Sequence, residues 1–184
     1  MAGKSVLFIV GSLRQGSFNR ELARVGAEEL NGSVDISFLD YADVPFMNQD
    51  IEFPAPAAVT RVRERVSAAD GVWVCSPEHN HNVPAQLKNM LDWLSRPLVA
   101  GDYATPRPLT ATPVAISGAG GKAACADGRA ALRSLLELQG AQPIAGDGEG
   151  FVLPRSAWTT GVYEPSELDV ERLRAQAHAL LAAL

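Results

Sequence analysis

The chain has 184 residues, of which 47% are hydrophobic and 20% charged, and its formal net charge is −5. These values are typical of an ordinary folded protein, so neither a disordered chain nor a membrane-spanning one is expected. The negative charge repels phosphate backbones, and no basic run is interleaved with aromatic residues, so nucleic-acid binding is not expected either. The length fits a single domain, residues 1–184, that folds without disulfides.

The cysteine content and the N-terminal sequence indicate the compartment. Cys75 and Cys125 are too few for the disulfide framework of a small secreted protein. The chain leads at once into the apolar stretch 6–10, which is too short for a signal peptide or a bilayer span. We therefore expect a reducing cytoplasmic setting with no membrane contact, and structural roles for both thiols.

Strand and helix patterns alternate along the whole chain. Continuous apolar runs indicate buried strands, whereas apolar residues repeating at helical spacing indicate amphipathic helices. The predicted strands are 5–10, 34–38, 71–76, 112–117 and a weak 142–145. The predicted helices are 17–30, 57–68, 82–94 with Pro84 in its first turn, 122–139 and 165–184. Loops are expected at 41–56 and 97–108, and an irregular segment at 146–161.

This alternation is typical of right-handed βαβ crossovers that build an open parallel sheet with helices on both faces. Residues 34–38 alternate apolar and polar side chains, which suits a strand at the edge of the sheet. A strand order of 2-1-3-4-5 would place the loops after strands one and three side by side. Ligands of such sheets bind beyond the carboxyl ends of the strands.

The loop after the first strand has the composition of an anion site. Residues 11–20 read GSLRQGSFNR and offer glycines, hydroxyls, an amide and two guanidinium groups at the start of a helix. Free N–H groups and the helix dipole attract phosphate there. The alternative is a surface turn in which Ser17 only caps the helix. The loop has neither the lysine of a Walker A motif nor a Gly-x-Gly-x-x-Gly pattern, which disfavours nucleoside triphosphates and dinucleotides.

The loop after the third strand begins Ser76-Pro77-Glu78-His79 and ends near Pro84. A loop made rigid by two prolines could hold main-chain groups against the polar edge of a planar ring, with His79 available for stacking. A flavin has these features. Glu78-x-x-His81 and His79-x-His81 could alternatively ligate a metal ion, but the sequence shows no third ligand cluster, so no metal site is predicted.

Glycines follow the fourth strand at Gly118, Gly120 and Gly121. Their small size would let the main chain approach a bulky ligand closely. Glycine-rich turns are common, so this loop supports a binding site only together with the other two.

The three loops together resemble the NADPH-dependent FMN reductase family, which includes quinone, azo-dye and chromate reductases. The resemblance spans about residues 5–145 and is most specific at 11–20 and at 76–96, which reads SPEHNHNVPAQLKNMLDWLSR. It implies an α/β fold, a flavodoxin-like three-layer sandwich with a five-stranded parallel sheet in the order 2-1-3-4-5. It also implies FMN as cofactor, NAD(P)H as co-substrate and a small-molecule electron acceptor.

The resemblance also assigns site residues. Five residues of the first loop would surround the FMN phosphate: Ser12, Arg14, Ser17, Asn19 and Arg20. Four residues of the loop after the third strand, called the third loop below, would border the isoalloxazine ring: Pro77, Glu78, His79 and Asn80. Three residues after the fourth strand would close the ribityl and ring side: Ser117, Gly118 and Gly120. No side chain is expected to act as a catalytic nucleophile, because the flavin itself takes up the electrons.

The sequence departs from the family pattern at two places. His79 stands where the family usually has tyrosine, and Gly120-Gly121-Lys122 replaces a longer glycine loop. Members of the family are usually dimers or tetramers, so a homodimer or homotetramer is expected, with helix 82–94 at the contact.

Three classes of function are consistent with this reading. The first is an NAD(P)H oxidoreductase that reduces quinones, azo compounds, free flavin or metal oxyanions by a two-electron ping-pong cycle. The second is a flavodoxin-like electron carrier that turns over no substrate of its own. The third is a module of the same fold that has lost its cofactor and acts through protein contacts.

Overall fold

The centre of the molecule is a parallel sheet whose first strand is buried on both faces. A computed structural model describes residues 3–184; Met1 and Ala2, the start of the predicted domain, lie outside the described residues. Strand β1, Ser5–Val10, carries the apolar run of the sequence, and Val6–Val10 are all buried. Such a run without alternation is what a central parallel strand requires, because helices cover both of its faces.

The remaining strands of the sheet are β2 Asp35–Phe38, β3 Gly71–Cys75, β4 Pro113–Gly120, β5 Gln142–Pro143 and β6 Glu149–Val152. The strand order is β2-β1-β3-β4-β5, and β6 also pairs with β4. All of these pairings are parallel. The 2-1-3-4-5 order predicted from the sequence is therefore confirmed, with β2 at the edge.

The fifth position of the sheet is shared by two short strands. β5 pairs with the first residues of β4, and β6 pairs with its last four residues, 117–120. The prediction of an irregular segment over 146–161 was wrong here, since this segment contains β6 and a short helix. The pairing with β6 also explains why β4 continues three residues beyond its predicted end at Ser117.

Helices cover the sheet on both faces, which confirms the three-layer sandwich. One apolar cluster packs α2, α3 and α4 against one face, and a second packs α1, α5 and α6 against the other. The helices are α1 Phe18–Leu30, α2 Ala57–Ser67, α3 Ala85–Leu94, α4 Ala126–Leu138, α5 Arg155–Thr160 and α6 Glu167–Ala183, and a single 3-10 turn covers Gln49–Ile51. Among residues 3–184, no helix is both long and apolar enough to cross a bilayer.

Two helices begin three or four residues later than the sequence predicts, and both delays lengthen a loop at the same end of the sheet. α3 begins at Ala85, because a tight turn occupies 79–82 and Pro84 has an extended ψ of 141°. α4 begins at Ala126, because Ala124 and Cys125 take left-handed conformations that a helix cannot continue.

Candidate functional site

The carboxyl ends of β1, β3 and β4 open onto one cavity of about 860 Å³. This volume is near the upper end of the range of about 300–1,000 Å³ for small-molecule sites. Its walls come from the three predicted loops and from a fourth segment around α5. The lining residues are Ser12, Leu13, Arg14, Ser17, Phe18, Asn19, Pro77, Glu78, His79, Gln86, Ala119, Gly120, Gly121, Lys122, Ala123, Cys125, Leu153, Ala157, Trp158 and Gly161.

The first loop is held tightly against the third. The N–H of Gly11 donates to the carbonyl of Cys75 at 2.8 Å, and the side chain of Gln86 on α3 donates to the carbonyl of Gly11 at 3.3 Å. A side chain at position 11 would collide with Ser76, so only glycine allows the two loops to approach this closely. The close approach makes the two loops adjacent walls of the cavity.

The amino end of α1 opens into the cavity. Ser17 is its N-cap residue, yet its hydroxyl makes no capping hydrogen bond, although Ser17 is only 3% exposed. The N–H groups of Gly16, Phe18 and Asn19 donate to no other group within residues 3–184. Unpaired N–H groups together with the positive end of the helix dipole form an anion site. The alternative reading of Ser17 as a simple cap is not what the structure shows.

Asn19 connects the first loop to the end of β4. Its side-chain amide donates to the carbonyl of Ala119 at 3.0 Å and accepts from the N–H of the same residue at 2.8 Å. The last β3–β4 pair is Cys75 with Ser117, so beyond that pair the amide takes the place of a neighbouring strand. Both polar atoms of the side chain are thus used within the protein.

The third loop turns sharply at 79–82. His79 and Asn82 exchange two main-chain hydrogen bonds of 3.0 and 3.1 Å, and Asn80 and His81 between them both have positive φ. This is the geometry of a type I′ turn. The turn leaves His79 at the cavity and places Asn80 in a separate hollow with Phe46 and Met47.

Glu78 anchors this loop to α4. Its carboxylate accepts the N–H of Gly128 in the first turn of α4 at 2.8 Å. His81 lies 2.7 Å from a carboxylate oxygen of Asp127 and 3.8 Å from the other oxygen of Glu78. The fold therefore adds Asp127 to Glu78 and His81, two of the three potential metal ligands named from the sequence, and leaves His79 out of the group; the donor atoms of Glu78, His81 and Asp127 lie within 4.8 Å of one another. The hydrogen bond to Asp127, followed by the two nearby negative charges, raises the pKa of the exposed His81.

The end of β4 forms the floor of the cavity. Gly120 lines it, whereas Gly118 is buried just behind, where a Cβ would lie 2.9 Å from the carbonyl of Ser76. Ser117 faces away: its hydroxyl donates to Gln176 of α6 at 2.6 Å and accepts from the indole of Trp73 at 2.9 Å. The side chain of Ser117 is therefore part of the buried core.

The structure brings eight of the predicted site residues to the cavity wall. They are Ser12, Arg14, Ser17, Asn19, Pro77, Glu78, His79 and Gly120. Arg20 lies on the other side of α1, in a hollow with Asp40 and Tyr41. Asn80, Ser117 and Gly118 also lie outside the lining, as described above.

The fourth wall was not predicted. Leu153, Ala157, Trp158 and Gly161 follow β6 and close the side of the cavity next to Phe18. The rings of Phe18 and Trp158 meet edge to face, with centroids 5.7 Å apart. This segment has neither a clean apolar period nor a motif, so the sequence pattern does not indicate that it lines the site.

Charged groups on the cavity wall are mainly positive. Arg14 and Lys122 line it, and neither forms an ion pair within the described chain. The guanidinium of Arg14 lies over the ring of Phe18 at 4.8 Å. Glu78 is the acidic residue of the lining, and one of its oxygens is already bonded to α4. A positive site in a protein of net charge −5 favours an anionic ligand.

Burial also sets the reactivity of the thiol at the cavity wall. Cys125 has its sulfur close to Gly120, and burial raises the pKa of this thiol above its ordinary value. A thiol with a raised pKa is a poor nucleophile at neutral pH. The arrangement therefore offers free N–H groups and positive charge to an anion in a partly open cavity, and the thiol at its wall is not activated.

Comparison with known proteins gives results that agree with this geometry. Residues 5–148 match the family model described as NADPH-dependent FMN reductase. An NAD(P)H-dependent FMN reductase of Pseudomonas aeruginosa is 33% identical over 141 residues, which cover 76% of this chain and 72% of that protein. A quinone reductase of Pseudomonas putida is 43% identical over 94 residues, half of each chain. This chain thus spans about half the length of the quinone reductases that it matches.

Among solved structures, the flavoenzyme NAD(P)H:(acceptor) oxidoreductase of Paracoccus denitrificans superposes with a TM-score of 0.83 at 27% identity and covers 97% of this chain and 96% of its own. An archaeal flavodoxin, with a TM-score of 0.59 at 12% identity over 97% of this chain and 96% of its own, shares the fold. The family match covers more than two thirds of the chain, and the matched residues include three of the four cavity walls. The chain belongs to the NADPH-dependent FMN reductase family.

Proposed function

We propose that this protein is an FMN-dependent NAD(P)H oxidoreductase that reduces small oxidised molecules. The observation that carries the proposal is the open amino end of α1, where an uncapped Ser17 and free N–H groups face a cavity of about 860 Å³. An FMN phosphate carries the negative charge that this helix end favours. Membership of the family and the names of its relatives support the same activity.

The residues present fit FMN. Ser12, Ser17 and the N–H groups of the first helical turn would hold the phosphate, and Arg14 would add a positive charge at the rim. Pro77, Glu78 and His79 would border the isoalloxazine ring from the third loop. On the opposite side, Gly120 leaves room for the ring because it carries no side chain.

Asn19, Gly118 and Ser117 would act on this site by setting the position of the main chain of β4. Asn19 fixes the end of β4 against the first loop, and Ser117 fixes β4 to α6. Arg20 and Asn80 lie in hollows beside the cavity, so their part in binding FMN is indirect in this proposal.

Bound FMN supplies the redox chemistry, since it can accept two electrons and a proton from a reduced nicotinamide and pass them to an acceptor. The protein binds and orients the reactants and excludes water from the ring. The activities by which the relatives are named favour quinones as acceptors. Azo compounds, free flavin and metal oxyanions are further candidates through the resemblance to the family. A quinone, NAD(P)H and one proton would together yield a hydroquinone and NAD(P)⁺.

The wider setting of the proposal has three parts. Residues 1–184 would form one FMN-binding domain, and the protein would work as a homodimer or homotetramer. Both cysteines are free and buried, which suits a reducing cytoplasm. The proposed activity uses no resident metal ion.

A spectrum and one anaerobic reaction test this function. The purified protein, incubated with FMN and desalted, should keep a flavin absorption band, and this band should bleach when NADPH is added in a stopped-flow instrument. A colourless protein, or a flavin band that NADPH leaves unchanged, would contradict the proposal. Slow bleaching by free NAD(P)H with fast reduction by a protein partner would instead indicate an electron carrier.

A charge variant tests the phosphate site itself. Ser17→Asp keeps a good N-cap residue but places a carboxylate where the phosphate should bind. We expect FMN affinity to fall at least tenfold, equivalent to about 1.4 kcal/mol. Gln15→Asp is the matched control, since Gln15 is exposed on the same loop but does not line the cavity. Equal losses in both variants would show that general repulsion, not the helix end, sets the affinity.

A further inference from the structure

The wall formed by α5 carries an aromatic side chain that the FMN site leaves uncovered. Trp158 lines the cavity, yet 61% of its surface is exposed to solvent. The edge of the cavity at this point is positive, with Arg14 over Phe18 beside the indole. An exposed indole next to a guanidinium suits a ligand that is both planar and anionic.

A second cation lies on the same short helix. Arg155 is three residues before Trp158, which places both residues on the same face of α5; Trp158 lines the cavity and Arg155 lies outside its lining. Arg155 is exposed and forms no ion pair with any residue from 3 to 184. An exposed tryptophan with one unpaired arginine on its own helix face, and a second arginine over the neighbouring Phe18, is a combination suited to stacking on a base while pairing with its phosphate.

We propose that Trp158 and Arg155 bind the adenosine phosphate end of NAD(P)H and thereby set the affinity for the electron donor. This inference rests on the proposed function. Among the reactants of that function, NAD(P)H carries an adenine base and phosphates in addition to its reacting ring, whereas a quinone carries neither. The α5 wall lies beyond residues 5–148, so the match to the family model does not assign it.

The position of the three tryptophans provides a direct probe. Trp73 and Trp93 are 0% and 1% exposed, so only Trp158 can be reached by a ligand in solution. Adenosine 5′-monophosphate and 2′,5′-ADP contain the adenosine phosphate but cannot transfer electrons. Titrating either into the protein as purified should change the tryptophan emission in a saturable way, whether or not flavin is bound.

Variants separate this role from FMN binding. In Trp158→Ala we expect adenosine monophosphate to bind at least tenfold more weakly by calorimetry, and the KM for NADPH to rise by a similar factor at unchanged kcat. The KM for reduced nicotinamide mononucleotide, which has no adenosine, should stay within twofold, as should the Kd for FMN. Arg155→Gln should weaken 2′,5′-ADP more than adenosine. Val162→Ala, an exposed apolar neighbour outside the cavity, is the control.

The opposite results have clear meanings. If neither adenosine phosphate binds, or if Trp158→Ala raises the KM for both donors equally, the inference is wrong. A loss of FMN affinity in Trp158→Ala would assign the indole to the cofactor, and a change in sedimentation would assign it to a subunit contact; either result overturns it. If wild-type protein binds FMN but is not reduced by NADPH, the proposed function fails first, and the adenosine titration still reports on Trp158.

Discussion

Replacing Asn19 with alanine distinguishes a structural role for this residue from a ligand role. The resemblance to the family places Asn19 at the phosphate, whereas the structure uses both of its polar atoms on Ala119, at 2.8 and 3.0 Å. Asn19→Ala would leave one N–H and one carbonyl unpaired beside a buried strand end. Each loss costs about 1–3 kcal/mol, and the cavity lets water compensate in part, so about 2 kcal/mol in total is expected. For a domain of this size, that corresponds to a fall in Tm of about 4–8 °C.

The assay is thermal unfolding of the FMN-free protein, because any loss of stability there cannot arise from lost cofactor contacts. Ser12→Ala is the matched control: Ser12 lines the same cavity, but its hydroxyl makes only a long 3.4 Å contact with the N–H of Arg14. We expect the control to change Tm by no more than about 1–2 °C. If Asn19→Ala leaves the FMN-free protein as stable as wild type but weakens FMN binding, Asn19 is a phosphate ligand and the reasoning above is refuted.

Three further predictions concern groups around the same site. Because the pKa of His81 is raised, its ion pair with Asp127 stabilises the fold below pH 6.5, and this contribution is lost as pH rises through the folded-state pKa. The free energy of unfolding measured from pH 5.5 to 8.5 should therefore fall in a step that Asp127→Asn removes. If the variant and the wild type show the same pH dependence, the prediction is wrong. Burial raises the pKa of Cys75 far above its ordinary value, so a thiol reagent at pH 8 should leave Cys75 unmodified, by mass spectrometry, until urea unfolds the chain. Gly118→Ala should lower both Tm and FMN affinity, because its Cβ would lie 2.9 Å from the carbonyl of Ser76; unchanged values would show that the loops can separate freely.

The sequence predicted the sheet better than it predicted the loops. Strand β1 follows from its apolar run, and the βαβ alternation follows from the patterns along the chain, whereas the strand order was implied by the resemblance to the family. These are global features that local errors do not disturb. The helix starts were wrong by three or four residues at α3 and α4, because a type I′ turn and two left-handed residues precede them. Alanine and cysteine seldom take that conformation, so the composition of 121–125 did not indicate it.

Side-chain direction was the other limit of the sequence. The motif GSLRQGSFNR contains Asn19 and Arg20 in adjacent positions, but on a helix adjacent residues point in different directions. Asn19 therefore turns toward β4, while Arg20 lies in a hollow beside Tyr41. Ser117 ends the apolar part of a strand, and its hydroxyl is taken up by Gln176, about sixty residues later in the chain. Such pairings depend on tertiary contacts, which no local pattern shows.

The cavity walls differ in how firmly they are joined to one another, and this difference separates cofactor binding from donor affinity. Hydrogen bonds join the three walls inside the matched region, residues 5–148. They include the main-chain bond from Gly11 to Cys75 and the two bonds between the Asn19 side chain and the main chain of Ala119. A substitution there disturbs two walls at once. The fourth wall reaches the cavity through a six-residue helix anchored by the buried Ala157, and its other side chains are mostly exposed. Because Arg155 is exposed and forms no ion pair within residues 3–184, we expect its substitution to change donor affinity and to leave the flavin walls in place. A change at Trp158 also removes its edge-to-face contact with Phe18.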